Sequence, residues 1–189
     1  MSNNLTKTKI MEAAEELLLT NNFEDISIRK ICTLAEVSYG SFYHQIKSKE
    51  NLLVMIRENA VKEGEEIFLK EMENKSSIEK IMFISNLYID YVIRYGYKVC
   101  GYFIVLAAKN PLFAPPPGVL LLLPELINEA IAVKEFDSKY DAGYIYRSIL
   151  SVLRGSVFEW CANKGESDLK ADVLKTFSFL IDNLKNQEK

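Results

Sequence analysis

A run of polar and basic side chains between Val37 and Lys49 is the part of this 189-residue chain best suited to contacting another molecule. It contains two lysines and no acidic residue, and it carries phenol, imidazole and carboxamide groups at Tyr39, Tyr43, His44 and Gln45. Lysine ammonium groups bind phosphate oxygens, and side chains that donate and accept hydrogen bonds can read base edges. The segment therefore predicts contact with nucleic acid.

Catalytic and metal-binding patterns do not stand out in the sequence. His44 is the only histidine, so a Ser-His-Asp triad or a His-rich metal site would depend on it alone. The three cysteines, Cys32, Cys100 and Cys161, are odd in number and lack CxxC spacing, which argues against a disulfide framework or a zinc site. No Gly-rich phosphate loop or paired-carboxylate motif stands out either. We expect no catalytic residue, no metal and no cofactor. An enzyme is the first alternative to a protein that binds nucleic acid.

The charge balance does not by itself indicate a nucleic-acid binder. The net charge is −3, and residues 1–50 hold six Lys/Arg and seven Asp/Glu. Local placement decides phosphate contact, and the acidic residues lie mainly in residues 11–25, upstream of the basic run. A helix that carries its charges on one face can leave another face basic.

The elements that must position the polar run are helices. Apolar residues at helical spacing predict a first helix over residues 6–20. Ser27, Ser38 and Ser48 are suitable N-caps for a second helix over 28–35, a very short third helix ending near His44, and a long fourth helix over 49–73. Two short helices joined by a short turn form a helix-turn-helix, whose second helix enters the major groove. Five apolar residues would lock the two helices together: Ile28, Ile31, Ala35, Val37 and Phe42.

The remaining chain is also helical by pattern, so we predict an all-α fold of about nine helices. Ser76 and Glu79 form a capping box for a fifth helix that ends at Gly96, and a sixth helix follows over 99–109. Residues 114–118 read as a stiff loop. Three more helices complete the chain: one over 124–135, a long one capped by Asp137-Ser138 and ending near residue 163, and a last one after Ser167. We predict a DNA-binding domain over 1–48 and a second domain over 49–189, bridged by the helix 49–73.

The segment from Ala35 to Leu52, AEVSYGSFYHQIKSKENL, resembles the recognition region of the TetR family of repressors. The resemblance covers about 45 residues without a gap, including Phe23 and the Ser27-Ile28-Arg29 lead-in. Three positions depart from the family pattern. Glu36 replaces a glycine at a position that often needs a positive φ, and Gln45 and Ile46 replace the usual aromatic residues.

The resemblance implies roles for individual residues. Tyr43 and Lys49 would hold backbone phosphates, Arg29 would reach a base edge or a phosphate, and Tyr39 would face bases beside Gly40. The same surface would include the hydroxyls of Ser27, Ser38 and Ser41, and His44, Gln45 and Lys47. Tyr43 could instead pack on the domain, Gln45 could contact either adenine or phosphate, and the lysines could be solvated charges.

For the second domain the resemblance implies a ligand cavity and a dimer. Aromatic and apolar residues at helical spacing are the candidates to line a cavity for a small, largely apolar effector, or simply to form core: Tyr88, Tyr91, Tyr95, Phe103, Leu106 and Trp160. Small residues on the eighth helix, among them Ser151 and Gly155, suit a four-helix dimer interface with the last helix. Arg154 and Glu159 could be an interface ion pair or a ligand anchor.

The resemblance therefore implies a homodimeric repressor that binds a palindromic double-stranded DNA operator and is released from it by an effector. The polar N-terminus shows no secretory signal, and the most apolar stretch, residues 118–123, is far shorter than the about 20 residues that span a bilayer. We expect a cytoplasmic protein without a membrane segment. A DNA-bound adaptor whose helical domain binds another protein is the second alternative.

Overall fold

The computed structural model describes residues 2–109 and 118–186, apart from the side chains of residues 2–4, 60 and 61. These residues form an all-α fold, as predicted. The helices are α1 (Ser2–Thr20), α2 (Ile28–Leu34), α3 (Tyr39–Ile46), α4 (Lys49–Glu71), α5 (Ser77–Lys109), α6 (Leu123–Ala132), α7 (Ala142–Ala162) and α8 (Leu169–Leu184). Short 3-10 segments lie at Phe23–Asp25 and Gly118–Leu122, and the one isolated β-bridge in the described ranges joins Phe136 to Lys185.

The predicted serine caps begin their helices in the structure. The Ser27 hydroxyl oxygen accepts a hydrogen bond from the Lys30 amide at 3.2 Å, which leaves one fewer unpaired amide at the start of α2. Ser38 and Ser48 do the same for α3 and α4, each at 3.1 Å. The capping box before α5 is also present, because the Ser76 amide donates to Glu79 at 2.9 Å and the Glu79 amide donates to Ser76 at 3.2 Å.

The described residues contain eight α-helices where the sequence predicted about nine, because the predicted fifth and sixth helices are joined in α5. Gly96 interrupts α5 with φ 77° and ψ 163°, a conformation that L-residues rarely adopt. The helical pattern resumes at once after this glycine, so α5 consists of an upstream segment (77–95) and a downstream segment (97–109). The stiff loop predicted at 114–118 lies almost wholly outside the described residues.

The start of α7 differs from the prediction. Asp141, not Asp137-Ser138, caps this helix, and its carboxylate accepts from the Tyr144 amide at 2.9 Å. Asp137 has another role: its amide donates to the Leu184 carbonyl at 2.9 Å, and its carboxylate binds the Lys139 amide at 2.9 Å. The turn 133–141 is therefore bonded to the end of α8, which delays the helix by one turn.

The buried apolar residues of the described ranges form one continuous core with two parts, and α4 runs between these parts. The first lies among α1, α2, α3 and the start of α4, where Ile10, Ile31 and Phe42 are fully buried. The second surrounds α5, which packs on α6, α7 and α8. α4 contributes Leu53 to the first part and passes the 3-10 segment of the second domain farther along, where Gly64 lies against Val119.

Candidate nucleic-acid interface

The helix-turn-helix is held by the apolar residues that the sequence indicated. Ile31 of α2, Ala35 of the turn and Phe42 of α3 are buried, and Ile28 and Val37 pack against them from half-buried positions. Ile46 at the end of α3 is buried too, although the family pattern has Phe there. α3 therefore extends to Ile46, beyond the predicted end near His44.

The turn between the helices has the strained residue that the sequence predicted. Glu36 has φ 56°, the left-handed conformation for which the family pattern supplies glycine. The Val37 amide donates to the Cys32 carbonyl at 3.0 Å across this residue, so the turn closes as it would with glycine. The glutamate is accommodated at a cost in backbone energy, and its side chain is exposed.

One face of α3 is bare while the opposite face is buried. Tyr39 and Tyr43 are 50% and 51% exposed, and Gly40 and His44 are exposed beside them. The ring of Tyr43 meets that of Phe42 edge-on, with the ring centroids 5.6 Å apart, so the core orients the phenol without covering it. A helix that packs on the core with one face and exposes phenols on the other has the shape needed to enter a groove of DNA.

The three predicted serines already have partners within the protein. Ser27 and Ser38 are caps, and the Ser38 and Ser41 hydroxyls lie 2.9 Å apart. Ser27 and Ser38 are exposed and Ser41 is half-buried. A hydroxyl that accepts from an amide can still donate its proton outward, so the caps leave these groups able to bind a phosphate oxygen.

The cations around α3 differ in their surroundings. Arg29 is exposed in the first turn of α2, and Lys47 is exposed just after α3 with φ 66°. Lys49 is half-buried instead: its ammonium donates to the Phe23 carbonyl and lies 4.1 Å from the centroid of the Phe23 ring. Burial lowers the pKa of Lys49, and the nearby carboxylates, Glu24 first, oppose that change. Gln45 is half-buried beside His44.

The N-terminal helices touch α5 through contacts that no sequence pattern singled out. On α1, Glu15 accepts a hydrogen bond from the Tyr95 hydroxyl and faces Arg94 at 3.4 Å, both on α5. Burial, followed by the Glu15 bond, raises the pKa of Tyr95 above its ordinary range, so the phenol keeps its proton as the donor. Sequence reasoning missed Glu15 because it lies beside the apolar face of α1, where a lone acidic residue cannot be told from a solvated charge.

A second contact between the domains lies beside Lys49. The Phe23 and Tyr102 rings are 4.6 Å apart between centroids, and Tyr102 belongs to the downstream segment of α5. Each segment of α5 therefore contacts the DNA-binding domain, one on each side of Gly96. The sequence could not show this, because the paired residues are far apart in the chain.

A cavity of about 190 Å³ lies between α4, the upstream segment of α5 and the 3-10 segment. Two of the six predicted ligand residues, Tyr88 and Tyr91, line it. The rest of its lining was not predicted: Arg57, Glu63, Gly64, Ile67, Leu87, Asp90, Arg94 and Val119. Burial raises the pKa of Tyr88 and of Tyr91, so both phenols are neutral hydrogen-bonding groups in the wall.

The other four predicted ligand residues are not part of this cavity's lining. Tyr95 is buried beside Glu15, and Phe103 and Leu106 are half-buried against the core. Trp160 is buried at the end of α7, where its indole N–H donates to the Ser167 carbonyl at 3.1 Å and fixes the turn into α8. Its role as a ligand residue stays a prediction.

Within 2–109 and 118–186, no three His, Cys, Asp or Glu residues are grouped so that they could hold a metal ion. In the same ranges, no helix combines the length and the apolar character needed to cross a bilayer.

Comparison with known proteins identifies the N-terminal part of the chain. Residues 10–56 match the family model described as bacterial regulatory proteins of the tetR family. The HTH-type transcriptional regulator UidR of Escherichia coli K12 is 39% identical over 51 residues, which are 27% of this chain and 26% of that protein. The match thus spans about a quarter of the length of this curated relative.

Solved structures share the fold over nearly the whole chain. FadR from Bacillus subtilis, crystallised in complex with stearoyl-CoA, superposes with a TM-score of 0.74 and 19% identity, over 94% of this chain and 98% of that one. A TetR transcription regulator from Haloarcula marismortui gives a TM-score of 0.78 with 16% identity, over 96% and 98% of the two chains. At such identities the likeness shows the all-α fold.

Proposed function

We propose that the chain, whose residues 10–56 match the family model of bacterial regulatory proteins of the tetR family, is a homodimeric repressor released from a palindromic operator by a small effector. The observation that carries the proposal is the bare face of α3. Its phenols, at Tyr39 and Tyr43, are half exposed, while the opposite side of the same short helix is buried. Such a helix can enter the major groove while its buried face stays packed against the rest of the protein.

The neighbouring side chains support contact with phosphate and bases. Arg29 is exposed at the start of α2, where a guanidinium can form the bidentate contact that recognises guanine or phosphate. Lys47 is exposed at the other end of α3. Lys49 is bound to the Phe23 carbonyl, so we assign it to holding the start of α4 rather than to phosphate. The predicted phosphate role of Lys49 would require that bond to open.

A dimer through α7 and α8 is the assembly that the surface favours. Phe158 on α7 and Phe179 on α8 are 55% and 71% exposed, which is unusual for phenylalanine unless a partner covers it. A side chain at Gly155, on the exposed side of α7, would meet no atom within 4 Å, so this face can approach another helix closely. Arg154 and Glu159 are exposed on α7, which suits an interface role for them. Two α3 helices could then reach grooves about 34–36 Å apart.

An effector site is supported by the cavity between α4 and α5. α4 lines this cavity in its second half and packs in the DNA-binding domain with its first turns. A ligand that favours one position of α4 would change the spacing of the two α3 helices and with it the affinity for DNA. The cavity favours a sensing protein over the DNA-bound adaptor.

The experiment that tests DNA binding is selection of bound duplexes from a random pool at low salt. We expect an inverted repeat whose half-sites lie on one side of the duplex. Arg29→Ala should weaken binding to the selected duplex by roughly ten- to a hundredfold, as expected for loss of a bidentate contact. Lys139→Ala is the charge-matched control, because Lys139 is exposed in the second domain and pairs with Asp137. The proposal fails if no duplex is enriched, or if both variants bind like the wild type.

A further inference from the structure

We propose that the effector is an amphipathic anion whose acidic group binds Arg94 and displaces Glu15, which loosens the DNA-binding domain from α5. The inference rests on the proposed function and assigns the ligand class and the residue that transmits binding. Arg94 both lines the cavity and pairs with Glu15 of α1.

The interior of the cavity is apolar. Ile67, Leu87 and Val119 line it together with the rings of Tyr88 and Tyr91. Its volume of about 190 Å³ lies below the 300–1,000 Å³ that is typical of pockets for drug-sized ligands. The cavity therefore suits a short hydrocarbon chain.

Charged groups of both signs meet at the edge of the cavity. Arg57 and Arg94 contribute two guanidinium groups, and Glu63 and Asp90 contribute two carboxylates. Asp90 is already paired with Lys170 at 2.6 Å. Glu63 is 68% exposed, and its 3.8 Å distance from Arg94 is that of a weak pair. With the outer partners Lys170 and Glu15 both counted, three cations face three carboxylates, so an acidic ligand binds at Arg94 by taking the place of Glu15.

Arg94 is held loosely enough to exchange partners. Its nitrogen lies 3.4 Å from the Glu15 carboxylate, longer than the about 2.7–2.9 Å of a strong charge-assisted hydrogen bond. A ligand carboxylate could meet the guanidinium side-on with two hydrogen bonds, which is a stronger arrangement than a single long contact. The Arg94 side chain is 51% exposed, so a ligand can reach it from solvent. Exchange therefore replaces a loose ion pair with a tighter one.

Loss of Arg94 would leave Glu15 with the Tyr95 hydroxyl alone. Tyr95 stacks at an angle on Tyr91, with the ring centroids 4.7 Å apart, and Tyr91 lines the cavity. A ligand that touches Tyr91 and binds Arg94 therefore disturbs the Glu15 contact in two ways. It draws Arg94 away from Glu15, and through Tyr91 it displaces Tyr95. Gly96 follows directly, and its non-helical conformation lets the upstream segment of α5 move without the downstream one.

The test compares octanoate, octanol and octylammonium as probes, using calorimetry on the full chain below their critical micelle concentrations. We expect octanoate to bind at least about tenfold more tightly than the other two, corresponding to about 1.4 kcal/mol. Arg94→Gln should remove that preference, whereas Arg147→Gln, an exposed arginine on α7, should keep it. Equal affinities for the three probes, no octanoate binding, or an unchanged preference in Arg94→Gln would overturn the inference.

Glu15→Gln separates ligand exchange from a merely structural contact. This variant removes the competitor of the ligand, so octanoate should bind it more tightly than it binds the wild type, by roughly three- to tenfold. Octanoate should also weaken binding of the wild type to its selected duplex, and do so less in Glu15→Gln. Unchanged or weaker octanoate affinity in Glu15→Gln would contradict the exchange. Failure to bind any duplex would instead reject the proposed function, while the octanoate measurements would still decide the ligand class.

Discussion

The bare face of α3 and the cavity between α4 and α5 are built in opposite ways. The α3 face comes from eight consecutive residues, Tyr39–Ile46, fixed by a cap at one end and an apolar stripe behind. The cavity draws on Arg57, Tyr91 and Val119, which are separated in sequence and meet only when the second domain packs. The first kind of site is visible in a sequence, and the second belongs to the tertiary structure.

The two regions also differ in which helices surround their buried side chains. The first part of the core lies among α1, α2, α3 and the start of α4, whereas α5 is surrounded by α6, α7 and α8. The following predictions test that difference, from the largest effect to the smallest.

The cysteines should report their burial through their reaction rates. Burial raises the pKa of Cys100 to about 12 and that of Cys161 to about 11, and it also raises that of Cys32. Since only the thiolate reacts, Cys100 at pH 8 should be alkylated by iodoacetamide on the order of a thousandfold more slowly than an unhindered thiol. Mass spectrometry of the folded protein should find Cys100 the slowest of the three. Faster labelling of Cys100 than of Cys32 would contradict the stronger effect of burial on the pKa of the Cys100 thiol.

Truncation of one fully buried ring in each part of the core should separate DNA binding from overall folding. Phe42→Ala and Phe177→Ala should each lower the free energy of unfolding by about 3–5 kcal/mol, measured by urea denaturation. Phe42→Ala should also abolish duplex binding, because Phe42 orients α3 and contacts the Tyr43 ring. Phe177→Ala should leave the duplex affinity of the folded protein nearly unchanged if the dimer persists. Equal loss of duplex binding in both variants would show that the two parts of the core are not separable.

Removal of a helix cap should cost the same in both regions but act on function in only one. Ser38→Ala and Asp141→Ala each remove the side chain that accepts from an amide at the start of α3 or α7, at a cost of about 1 kcal/mol. Only Ser38→Ala should also reduce duplex affinity, since α3 carries the proposed recognition face. A similar loss of duplex affinity in Asp141→Ala would contradict this assignment.

Relief of backbone strain should give the smallest effect. Glu36→Gly should raise the free energy of unfolding by a few tenths to about 1 kcal/mol, because φ 56° is a conformation that glycine adopts freely. Lys164→Gly, at φ 55° after α7, is the matched variant in the second domain and should gain a similar amount. Thermal denaturation of both variants measures the gain, and a lower melting temperature in either one would contradict the strain argument.

Local signals predicted much of the fold and part of the site. The caps at Ser27, Ser38 and Ser48, the capping box at Ser76 and the break at Gly96 were all readable, because each depends on residues within one helical turn. The late start of α7 was missed because Asp137 is bonded to Leu184, a partner 47 residues away.

Lys49 shows the same limit of prediction from local sequence within the helix-turn-helix. The resemblance implied a phosphate contact for Lys49, whereas in three dimensions its ammonium donates to the Phe23 carbonyl. Glu15 likewise reads as a solvated charge until α5 brings Arg94 and Tyr95 against it.

By itself the sequence determined that the chain is helical, where α2, α3 and α4 begin, and which face of α3 is exposed. The first helix was predicted from residue 6, whereas α1 begins four residues earlier, at Ser2. Helical periodicity and capping are short-range effects, so a short stretch of sequence specifies them. Only the tertiary structure decided which side chains line the cavity and which charges join the two domains. Those contacts depend on how helices distant in sequence pack together, and that packing is settled by the whole core at once.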